Sequence, residues 1–308
     1  GSKVMRSTLG YFTNSPDKQV LLLTLSKIIN IAKADTEDKK AALSDDRDDI
    51  RFQDVLADED QIEYFVRVGI EELEREMTQR LRNNPERDVL SLYTVSKASR
   101  PINSFMSKGQ YKGTGSLVDL VEQTNPLLMS SAHRKITSLG EGGLTAQSAN
   151  QETRNLQNSA FGKLDPVETP ESGKIGLVSH LTRNSTVSNL TIKSKYYKVK
   201  NGSFVKKDSN IVELEPLEEY GQYIAFSDPN TTKGAGDKIT LPDEVWARYQ
   251  GNMVKVSRDK VDLIDLSPHV IWGDATNLIP FSAHNDGNRM LMGANMQKQA
   301  LPLVNRAA

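Results

Sequence analysis

The sequence predicts an α+β fold, with a helical half before about residue 160 and a mostly β module from about 175 to 268. Three observations predict it: amphipathic periodicity over 58–82, a hairpin-turn dipeptide at Asn201-Gly202, and short strand-like runs after that turn. No segment repeats with a period of roughly 20 to 50 residues, which excludes solenoids and propellers. We therefore expect distinct helical and β regions.

The N-terminal region combines a helix with a charged segment. Ser15-Pro16-Asp17 offers a capping residue, a proline suited to the first helical turn and an early acid, so we predict a helix over 18–34. Residues 34–51 are rich in charge and have little to bury, which predicts a loop or exposed linker. The aspartates within 34–51 favour a solvated surface over a site for magnesium or for a partner protein.

The clearest amphipathic helix is predicted over 58–82. Apolar residues recur at helical spacing, and three Glu/Arg pairs stand four residues apart in the favourable order. The pairs are Glu63/Arg67, Glu71/Arg75 and Glu76/Arg80. A shorter helix is predicted over 116–123, before Asn125-Pro126.

A glycine-rich loop closes the helical half. The glycines within 140–143 can adopt backbone angles that other residues avoid, and polar sequence continues to about 158 with almost nothing apolar to anchor it. Loops of this kind often carry function. The basic triplet His133-Arg134-Lys135 just before it suits either a phosphate-backbone contact or a solvated surface.

The β module starts at the hairpin signal. Predicted strands over 191–200 and 203–207 flank Asn201-Gly202, a dipeptide typical of two-residue hairpin turns. Further strands are predicted over 211–214, 223–226, 254–256 and 261–266. The regular spacing of these short runs indicates a sheet-based module.

Composition limits the possible functions. Thirty-nine basic and 40 acidic residues leave a net charge of −1, so contacts with polyanions must come from local patches. The absence of cysteine excludes disulfides and thiolate zinc sites, and four histidines make an all-protein metal site unexpected. The longest apolar run, 20–25, is too short to cross a bilayer, and no secretory signal is recognisable.

Motifs for independent catalysis are missing from the sequence. It contains no Gly-x-Ser-x-Gly elbow and no Walker-type phosphate loop, and it has no cysteine nucleophile. His284 and Asp286 stand together in a Gly/Asn-rich stretch, but one carboxylate beside one histidine favours a hydrogen-bonded turn over a metal site. We therefore predict no metal site in this chain.

Residues 284–302 contain the strongest candidate site. A small polar loop leads into a Met-rich segment suited to a helix, on which Arg289, Met296 and Gln299 fall near one face. The Arg289 guanidinium suits a bidentate contact with phosphate. Equally, the segment suits a core helix whose methionines pack while the arginine reaches solvent.

Four ordered groups of residues resemble motifs of one protein family. The groups are 48–50 with 65–69, which read Asp-Asp-Ile and Phe-Val-Arg-Val-Gly; 115–127 with 139–144; 166–177, which includes Pro-Val-Glu-Thr-Pro-Glu; and 261–268, 278–281 and 286–302. They resemble the beta, or second-largest, subunit of multisubunit DNA-dependent RNA polymerases. The resemblance begins at about residue 48 and covers the middle of such a subunit, which implies a split subunit or a fragment.

The resemblance also implies a domain order. Residues 1–57 correspond to an N-terminal helical segment and acidic linker, 58–160 to the fork and rifamycin-pocket-like region, 161–270 to a β-rich external-like domain, and 271–308 to the start of a mixed hybrid-binding domain. The rifamycin-pocket-like residues are Asp119, Glu122, Asn125, Ala132 and Thr137. Departures at Asp119, Glu122 and Ala132 argue against rifamycin sensitivity. Together with the departures at Ala146 and Ser172, they make the sequence resemble the divergent, split polymerases of large bacterial viruses.

Roles for individual residues follow from the same resemblance. Arg289 is expected to contact the phosphates of the incoming nucleotide, with Glu171 and Asn295 nearby. Residues 140–155 are expected to meet downstream DNA. The expected nucleic-acid-binding residues are Arg134, Lys135, Gly142, Gly143, Arg154, Lys298 and Gln299.

The resemblance implies a subunit that is inactive alone and works in the bacterial cytoplasm, including that of an infected host. Its expected partners are a beta-prime-like chain, the remaining beta-subunit fragments, the DNA template, the RNA transcript and NTPs, with no membrane. Mg2+ would be bound mainly by the beta-prime-like partner. The alternative is a non-catalytic regulator that mimics a polymerase surface, or a nucleic-acid-binding module, although near-neutral charge and two tryptophans argue against a general strand binder.

Overall fold

The computed structural model describes residues 18–34, 46–86, 95–108, 120–140, 143–145, 147–228 and 238–301. Their contacts divide the chain into two units. Unit 1 contains the described residues up to 54, together with 156–166 and 182–272. Unit 2 contains 55–155, 167–181 and the residues from 273 onward. Both units are therefore discontinuous along the chain, and the four consecutive segments that the resemblance implies stay a prediction.

The first two predicted helices are confirmed. Helix α1, Lys18–Ala32, lies in unit 1, and the residues predicted to cap it lie outside the described part. Helix α2, Asp58–Asn83, lies in unit 2. Its predicted pairs Glu63–Arg67, Glu71–Arg75 and Glu76–Arg80 form at 2.6, 3.3 and 2.5 Å. The exposed Glu63–Arg67 and Glu71–Arg75 pairs each add about 0.3–0.5 kcal/mol at most, because exposed ion pairs on a helix are weak.

Helix α3, Val95–Lys108, packs against α2 and is absent from the sequence-based prediction. Pro101 lies inside it, and proline usually marks a helix end. The Phe65 and Phe105 rings stack with centroids 4.4 Å apart. A Cβ added to Gly69 would lie 2.2 Å from the carbonyl oxygen of Ala98, so this close approach of the two helices requires glycine.

Helix α4, Pro126–His133, begins just after the shorter helix that the sequence predicts. That prediction is wrong for 120–123, which are not helical, and 116–119 lie outside the described residues. Asn125 explains the shift, because its side chain caps the helix by accepting a 2.8 Å hydrogen bond from the backbone N–H of Leu127. Pro126 then suits the first turn. The Asn-Pro pair starts a helix here instead of following one.

The end of the predicted exposed linker is partly buried in unit 1. Ile50–Phe52 forms a 3-10 turn, and Ile50 is buried. The Ile50 backbone N–H donates to Ser159 Oγ at 3.1 Å, while Asp49 caps the turn by accepting from the Arg51 backbone N–H at 2.8 Å. The prediction of an exposed linker is therefore wrong here. The buried Ile50 and its hydrogen bond to Ser159 anchor the end of the segment.

Short strands account for most of the remaining structure. In unit 2, β1, Lys135–Thr137, pairs antiparallel with β2, Val178–His180. The strands of unit 1 are β3 Ser185–Ser188, β4 Thr191–Lys198, β5 Ser203–Val205, β6 Ile211–Leu214, β7 Ile224–Ala225, β8 Lys238–Thr240, β9 Glu244–Tyr249, β10 Asn252–Ser257 and β11 Leu263–Asp265. The α+β class and the β-rich module are confirmed.

Seven of these unit 1 strands form one sheet in the order β10-β9-β7-β11-β4-β3, with β6 also paired to β4, while β5 and β8 form a separate two-stranded sheet. The pairs of the seven-stranded sheet are antiparallel except β11 with β7, which is parallel. Ala225, Ala247 and Ile264 from three of these strands are fully buried. The sheet therefore supplies the core of unit 1.

The turn predicted at Asn201-Gly202 is confirmed, but the hairpin beyond it is not. Both residues have positive φ, 50° and 66°, and a single bridge joins Lys200 to Ser203. Strand β5 then pairs with β8 instead of β4. This pairing buries Phe204 with Ile239 in the core, so contacts distant in sequence decide the partner of β5.

Buried charges connect the strands of unit 1. Arg248 of β9 donates to both carboxylate oxygens of Asp265 of β11, at 2.7 and 2.9 Å. The guanidinium carbon lies 4.3 Å from the Phe161 ring centroid. Burial acts to lower the pKa of Arg248, but the Asp265 carboxylate outweighs it and raises that pKa above its usual value. The guanidinium therefore stays charged.

A second buried polar group lies beside helix α5, Pro216–Glu219. Lys163 Nζ lies 2.5 Å from Glu219 Oε2, and Tyr196 Oη donates to Glu219 Oε1 at 2.9 Å. Burial, followed by the Glu219 charge, raises the pKa of Tyr196 well above its usual value, so the hydroxyl remains a donor. These contacts satisfy both carboxylate oxygens of Glu219, as a buried charge requires.

Unit 2 ends in two helices that pack with α4. They are α6, Asp274–Asn277, and α7, Gly287–Gln299. Ala275 of α6 and Ala294 of α7 are fully buried, and Met290 is 4% exposed. The helix predicted within 284–302 is therefore present, and its apolar side faces the interior of the unit.

Candidate functional site

Helix α7 has a packed face and an exposed face. Asp286 caps it by accepting a 2.9 Å hydrogen bond from the backbone N–H of Arg289. Met290 is buried, whereas the side chains of Arg289, Met296 and Gln299 are exposed. The interpretation of a packed helix is confirmed for Met290. A contact between Arg289 and phosphate stays a prediction.

The Arg289 guanidinium is accessible on this exposed face. It forms no ion pair with any residue in the described ranges, and its Nη1 lies 3.8 Å from the sulfur of Met292. A guanidinium that is exposed and not neutralised by a carboxylate is able to make bidentate hydrogen bonds to a phosphate. The geometry therefore leaves Arg289 available for an anionic ligand.

Glu171 and Asn295, the other two candidate catalytic residues, lie together. Asn295 Nδ2 donates to Glu171 Oε1 at 3.0 Å. Both side chains belong to unit 2, and Asn295 stands on α7 about 9 Å along the axis from Arg289, at 1.5 Å per residue. The structure thus attaches the segment around Glu171 to the helix that carries Arg289.

Lys298 has a buried partner instead of an open surface. Its Nζ donates to Glu168 Oε1 at 3.1 Å, and its side chain is 12% exposed. The same carboxylate oxygen accepts from Ser131 Oγ of α4 at 2.6 Å. Glu168 is only 2% exposed, so these donors compensate a buried charge. Nucleic-acid binding by Lys298 stays a prediction that competes with this contact.

His180 of β2 also lies beside Glu168. Its Nδ1 donates to the Glu168 backbone carbonyl at 3.0 Å, while its Nε2 lies 3.7 Å from Glu168 Oε1. Burial lowers the pKa of His180, Glu168 acts to raise it, and Lys298 and Lys135 add to the lowering. The imidazole is therefore neutral at neutral pH, with Nδ1 as its donor.

The lowered pKa of His180 predicts that the chain loses stability in mild acid. Between the usual histidine pKa, about 6.5, and the lower folded value, the unfolded chain binds a proton that the folded chain does not. This contribution is complete above about pH 6.5 and is lost as the pH falls below it. Thermal unfolding of the purified chain between pH 8 and 5.5 measures this loss of stability. We expect the midpoint temperature of unfolding to decrease as the pH falls below about 6.5.

Two histidine variants assign this effect. His180→Asn keeps a side-chain donor for the Glu168 carbonyl but removes the titration, so its unfolding midpoint should depend less on pH below about 6.5. His284→Asn, on an exposed turn, should keep the wild-type dependence. An unchanged pH dependence in His180→Asn would show that His180 is not the responsible group.

Asn125 anchors the C-terminal end of α7. Besides capping α4, its Nδ2 donates to the backbone carbonyls of Gln297 and Ala300 at 2.9 and 2.8 Å. These carbonyls lie in and just beyond the last turn, where helices lack internal partners for their C=O groups. The rifamycin-pocket-like residue Asn125 is 9% exposed, and its side-chain amide is hydrogen-bonded to the backbone.

The other rifamycin-pocket-like residues have different surroundings. Glu122, Ala132 and Thr137 are exposed, and Thr137 Oγ1 accepts from the Leu139 backbone N–H at 3.1 Å. Asp119 lies outside the described residues. The three exposed positions are available to a ligand, whereas Asn125 is not freely exposed.

Several candidate nucleic-acid-binding residues already have local roles. Arg154 Nη1 donates to the backbone carbonyls of Gly173 and Ile175 at 2.8 and 3.0 Å. A Cβ at Gly143 would lie 2.5 Å from the Ser138 carbonyl oxygen, so this glycine permits a tight backbone approach. Lys135 and Gln299 are exposed and Arg134 is partly buried, while Gly142 lies outside the described residues. Their contacts with nucleic acid stay predictions.

Sequence reasoning missed the part played by Glu168, Ser131 and His180. A glutamate, a serine and a histidine outside a periodic segment give no indication of burial. The available signal was the position of Glu168 within Pro-Val-Glu-Thr-Pro-Glu, three residues before the candidate Glu171. Their proximity to Lys298 requires the tertiary structure.

In the part of the chain that the structure describes, no group of three His, Asp or Glu side chains is placed to hold a metal ion. None of the described helices is both long and apolar enough to cross a membrane.

Comparisons with known proteins agree with the motifs noted above. The family model for RNA polymerase Rpb2, domain 3, matches residues 119–187. The DNA-directed RNA polymerase subunit beta of Sorangium cellulosum is 34% identical over 312 residues, covering 98% of this chain and 22% of the relative. That of Bdellovibrio bacteriovorus is 34% identical, covering 86% of this chain and 18% of the relative.

A relative from Synechococcus, also a DNA-directed RNA polymerase subunit beta, is 32% identical, covering 98% of this chain and 27% of the relative. The chain thus spans about a fifth to a quarter of the length of these curated relatives. Similarity along nearly the whole chain supports the resemblance that the motifs indicate.

Proposed function

Because the chain is related to a region of the beta subunit of bacterial DNA-directed RNA polymerases, we propose that it forms one wall of a polymerase active-site cleft. The observation that carries the proposal is the exposed Arg289 guanidinium on α7, together with Asn295 and its partner Glu171. This group suits the triphosphate of an incoming nucleotide. The wall also includes segments that face RNA and DNA.

Arg289 would act by neutralising phosphate charge. The incoming triphosphate is strongly anionic, and a planar guanidinium provides two parallel donors that also orient it. The N-terminal end of a helix favours anions as well, and Arg289 stands in the first turn of α7. A contact that strengthens as charge develops on the leaving pyrophosphate lowers the barrier to nucleotide addition.

Nucleotide addition also uses magnesium, which stabilises the charge of the transferring and leaving phosphates when it is bound. We propose that a beta-prime-like partner holds the magnesium. This chain would bind and orient the nucleotide beside it.

Contacts with nucleic acid would be made mainly to its backbone. Lys135 and Gln299 are exposed and suited to phosphate or sugar contacts along the RNA side of the hybrid, and Arg134 precedes Lys135 in sequence. Such contacts position a strand without identifying its bases. Sequence specificity is therefore not expected from this chain.

Purification of native complexes through a tag on this chain tests the proposal. We expect beta-prime-like and remaining beta-like chains in the mass spectrum, and DNA-dependent RNA synthesis by the complex. The purified chain with template, NTPs and magnesium should make no RNA, because the resemblance implies that its partner holds the metal.

Two outcomes would contradict the proposal. Recovery of a complete polymerase that contains its own full beta subunit would favour a polymerase-mimicking regulator. RNA synthesis by the purified chain alone would show that it is not merely one part of the site.

A further inference from the structure

A single buried carboxylate oxygen joins three elements of unit 2. Glu168 Oε1 accepts from Ser131 of α4 at 2.6 Å and from Lys298 of α7 at 3.1 Å. His180 of β2 lies 3.7 Å from the same atom. Because Glu168 is 2% exposed, water contributes little to satisfying its charge. The lysine ammonium and the serine hydroxyl therefore help to compensate this buried charge.

We propose that Glu168 is a positioning residue that, acting through Lys298, sets the orientation of α7 and thereby of Arg289 and Asn295 toward the incoming nucleotide. The inference rests on the proposed function and deepens it. Glu168 itself is too buried to touch the nucleotide. It would act on the reaction only through the helix.

The segment that carries Glu168 contacts α7 at two points. Glu168 binds Lys298, and Glu171, three residues later, binds Asn295, three residues earlier on the helix. The segment and the helix therefore run in opposite directions at matched spacing. Residues three apart on a helix are neighbours on one face, so the two contacts act on the same side of α7.

The two contacts differ in strength. The Glu171–Asn295 hydrogen bond is exposed, and water competes with exposed hydrogen bonds. The Glu168–Lys298 pair is buried, with side chains 2% and 12% exposed. Loss of one partner from a buried pair leaves an uncompensated charge, so the interior must rearrange. Glu168 therefore has the larger influence on the helix.

The reacting end of the helix lies beyond these anchors. Asn125 binds the carbonyls of Gln297 and Ala300, so the C-terminal turn of α7 is held from two sides. Arg289 is nine residues before Lys298, about 13 Å along the axis at 1.5 Å per residue. A small rotation at the anchored end is thus amplified at the guanidinium. Misplacement by about 1 Å is enough to cost as much as a hundredfold in rate.

The test uses the assembled polymerase that contains this chain, stalled on a template and supplied with the next NTP. Glu168→Gln keeps the shape of the side chain and an acceptor for Ser131 but removes the charge that holds Lys298. We expect kcat/KM for single-nucleotide addition, measured per active complex, to fall about tenfold. Lys298→Met should give a similar loss, and the double variant should be no worse than either single variant, because both act through one contact.

Conservative and control variants accompany these changes. Lys298→Arg keeps the charge and should retain most of the activity. Glu244→Gln removes one partner of the exposed Glu244–Lys255 pair of unit 1 and should leave the kinetics unchanged. If Glu168→Gln does not assemble, Ser131→Ala replaces it, since this variant removes one donor to the same oxygen and should lower kcat/KM in the same direction.

The readout separates positioning from a merely structural role. A structural role would reduce the fraction of active complexes while those that remain keep the wild-type rate and KM, and this result would overturn the inference. Additive losses in the double variant would also overturn it. If Arg289→Ala slows addition but Glu168→Gln does not, only the inference fails. If neither variant changes addition, the proposed function fails as well.

Discussion

Arg248→Met is expected to lower the free energy of unfolding of unit 1 by about 3–5 kcal/mol. Arg248 donates two hydrogen bonds to Asp265, whose side chain is 2% exposed. Methionine fills much of the same volume but leaves the carboxylate buried without a counter-charge. Asp265 must then either accept a proton or draw in water, and both alternatives destabilise the folded state.

Urea denaturation of the purified chain at pH 7 measures this loss. Arg248→Met/Asp265→Leu should recover most of the stability, because replacing both partners with apolar residues removes the unpaired charge. Lys255→Met breaks the exposed Lys255–Glu244 pair and should not change stability measurably. A loss in Arg248→Met as small as that of Lys255→Met would contradict the account of the buried pair.

The sequence predicts those elements whose signals are local. Helix α2 shows periodic apolar residues and spaced ion pairs, and the turn at Asn201-Gly202 needs only two residues that tolerate positive φ. Strand β6, Ile211–Leu214, has the predicted bounds. In each case the information lies within a few residues, so a single sequence is sufficient.

Elements that depend on distant partners are harder to predict. Helix α3 contains Pro101 and is stabilised against α2, where Gly69 permits close contact. Strand β5 follows the predicted turn but pairs with β8, more than thirty residues away. Neither partner is indicated by the residues next to the element, and tertiary packing overrides the local signal.

The candidate site divides in the same way. Arg289 could be proposed as a candidate because an arginine at the start of a polar-to-helical segment suits phosphate by its chemistry, and its contact with phosphate stays a prediction. The contact of Lys298 could not be predicted from the sequence, because its partner Glu168 is 130 residues away. Asn125 likewise binds carbonyls 172 and 175 residues away. A residue type indicates possible chemistry, whereas burial and partners require the folded chain.

Arg289→Ala is expected to lower the rate of nucleotide addition by the assembled enzyme at least tenfold, equivalent to a barrier increase of about 1.4 kcal/mol or more. The variant removes an exposed guanidinium without disturbing the buried Met290 or the cap at Asp286. Assembly should therefore be unaffected, so the loss reports on nucleotide binding or chemistry. Arg289→Lys keeps the charge but not the bidentate geometry. Its rate of nucleotide addition should therefore lie between those of Arg289→Ala and the wild type.

An exposed arginine on a helix without candidate site residues provides the control. Arg75 lies on α2, is 77% exposed and pairs with Glu71 at 3.3 Å. Arg75→Ala removes the same chemical group and should leave nucleotide addition at the wild-type rate. The comparison separates the loss of one positive charge from the loss of this particular contact.

The rate of single-nucleotide addition by assembled complexes carrying Arg289→Ala tests most directly whether this chain forms a wall of the active site. The account predicts a rate at least tenfold below those of the wild type and Arg75→Ala at the same NTP concentration. Equal rates for all three enzymes would contradict it, because α7 would then face something other than the nucleotide.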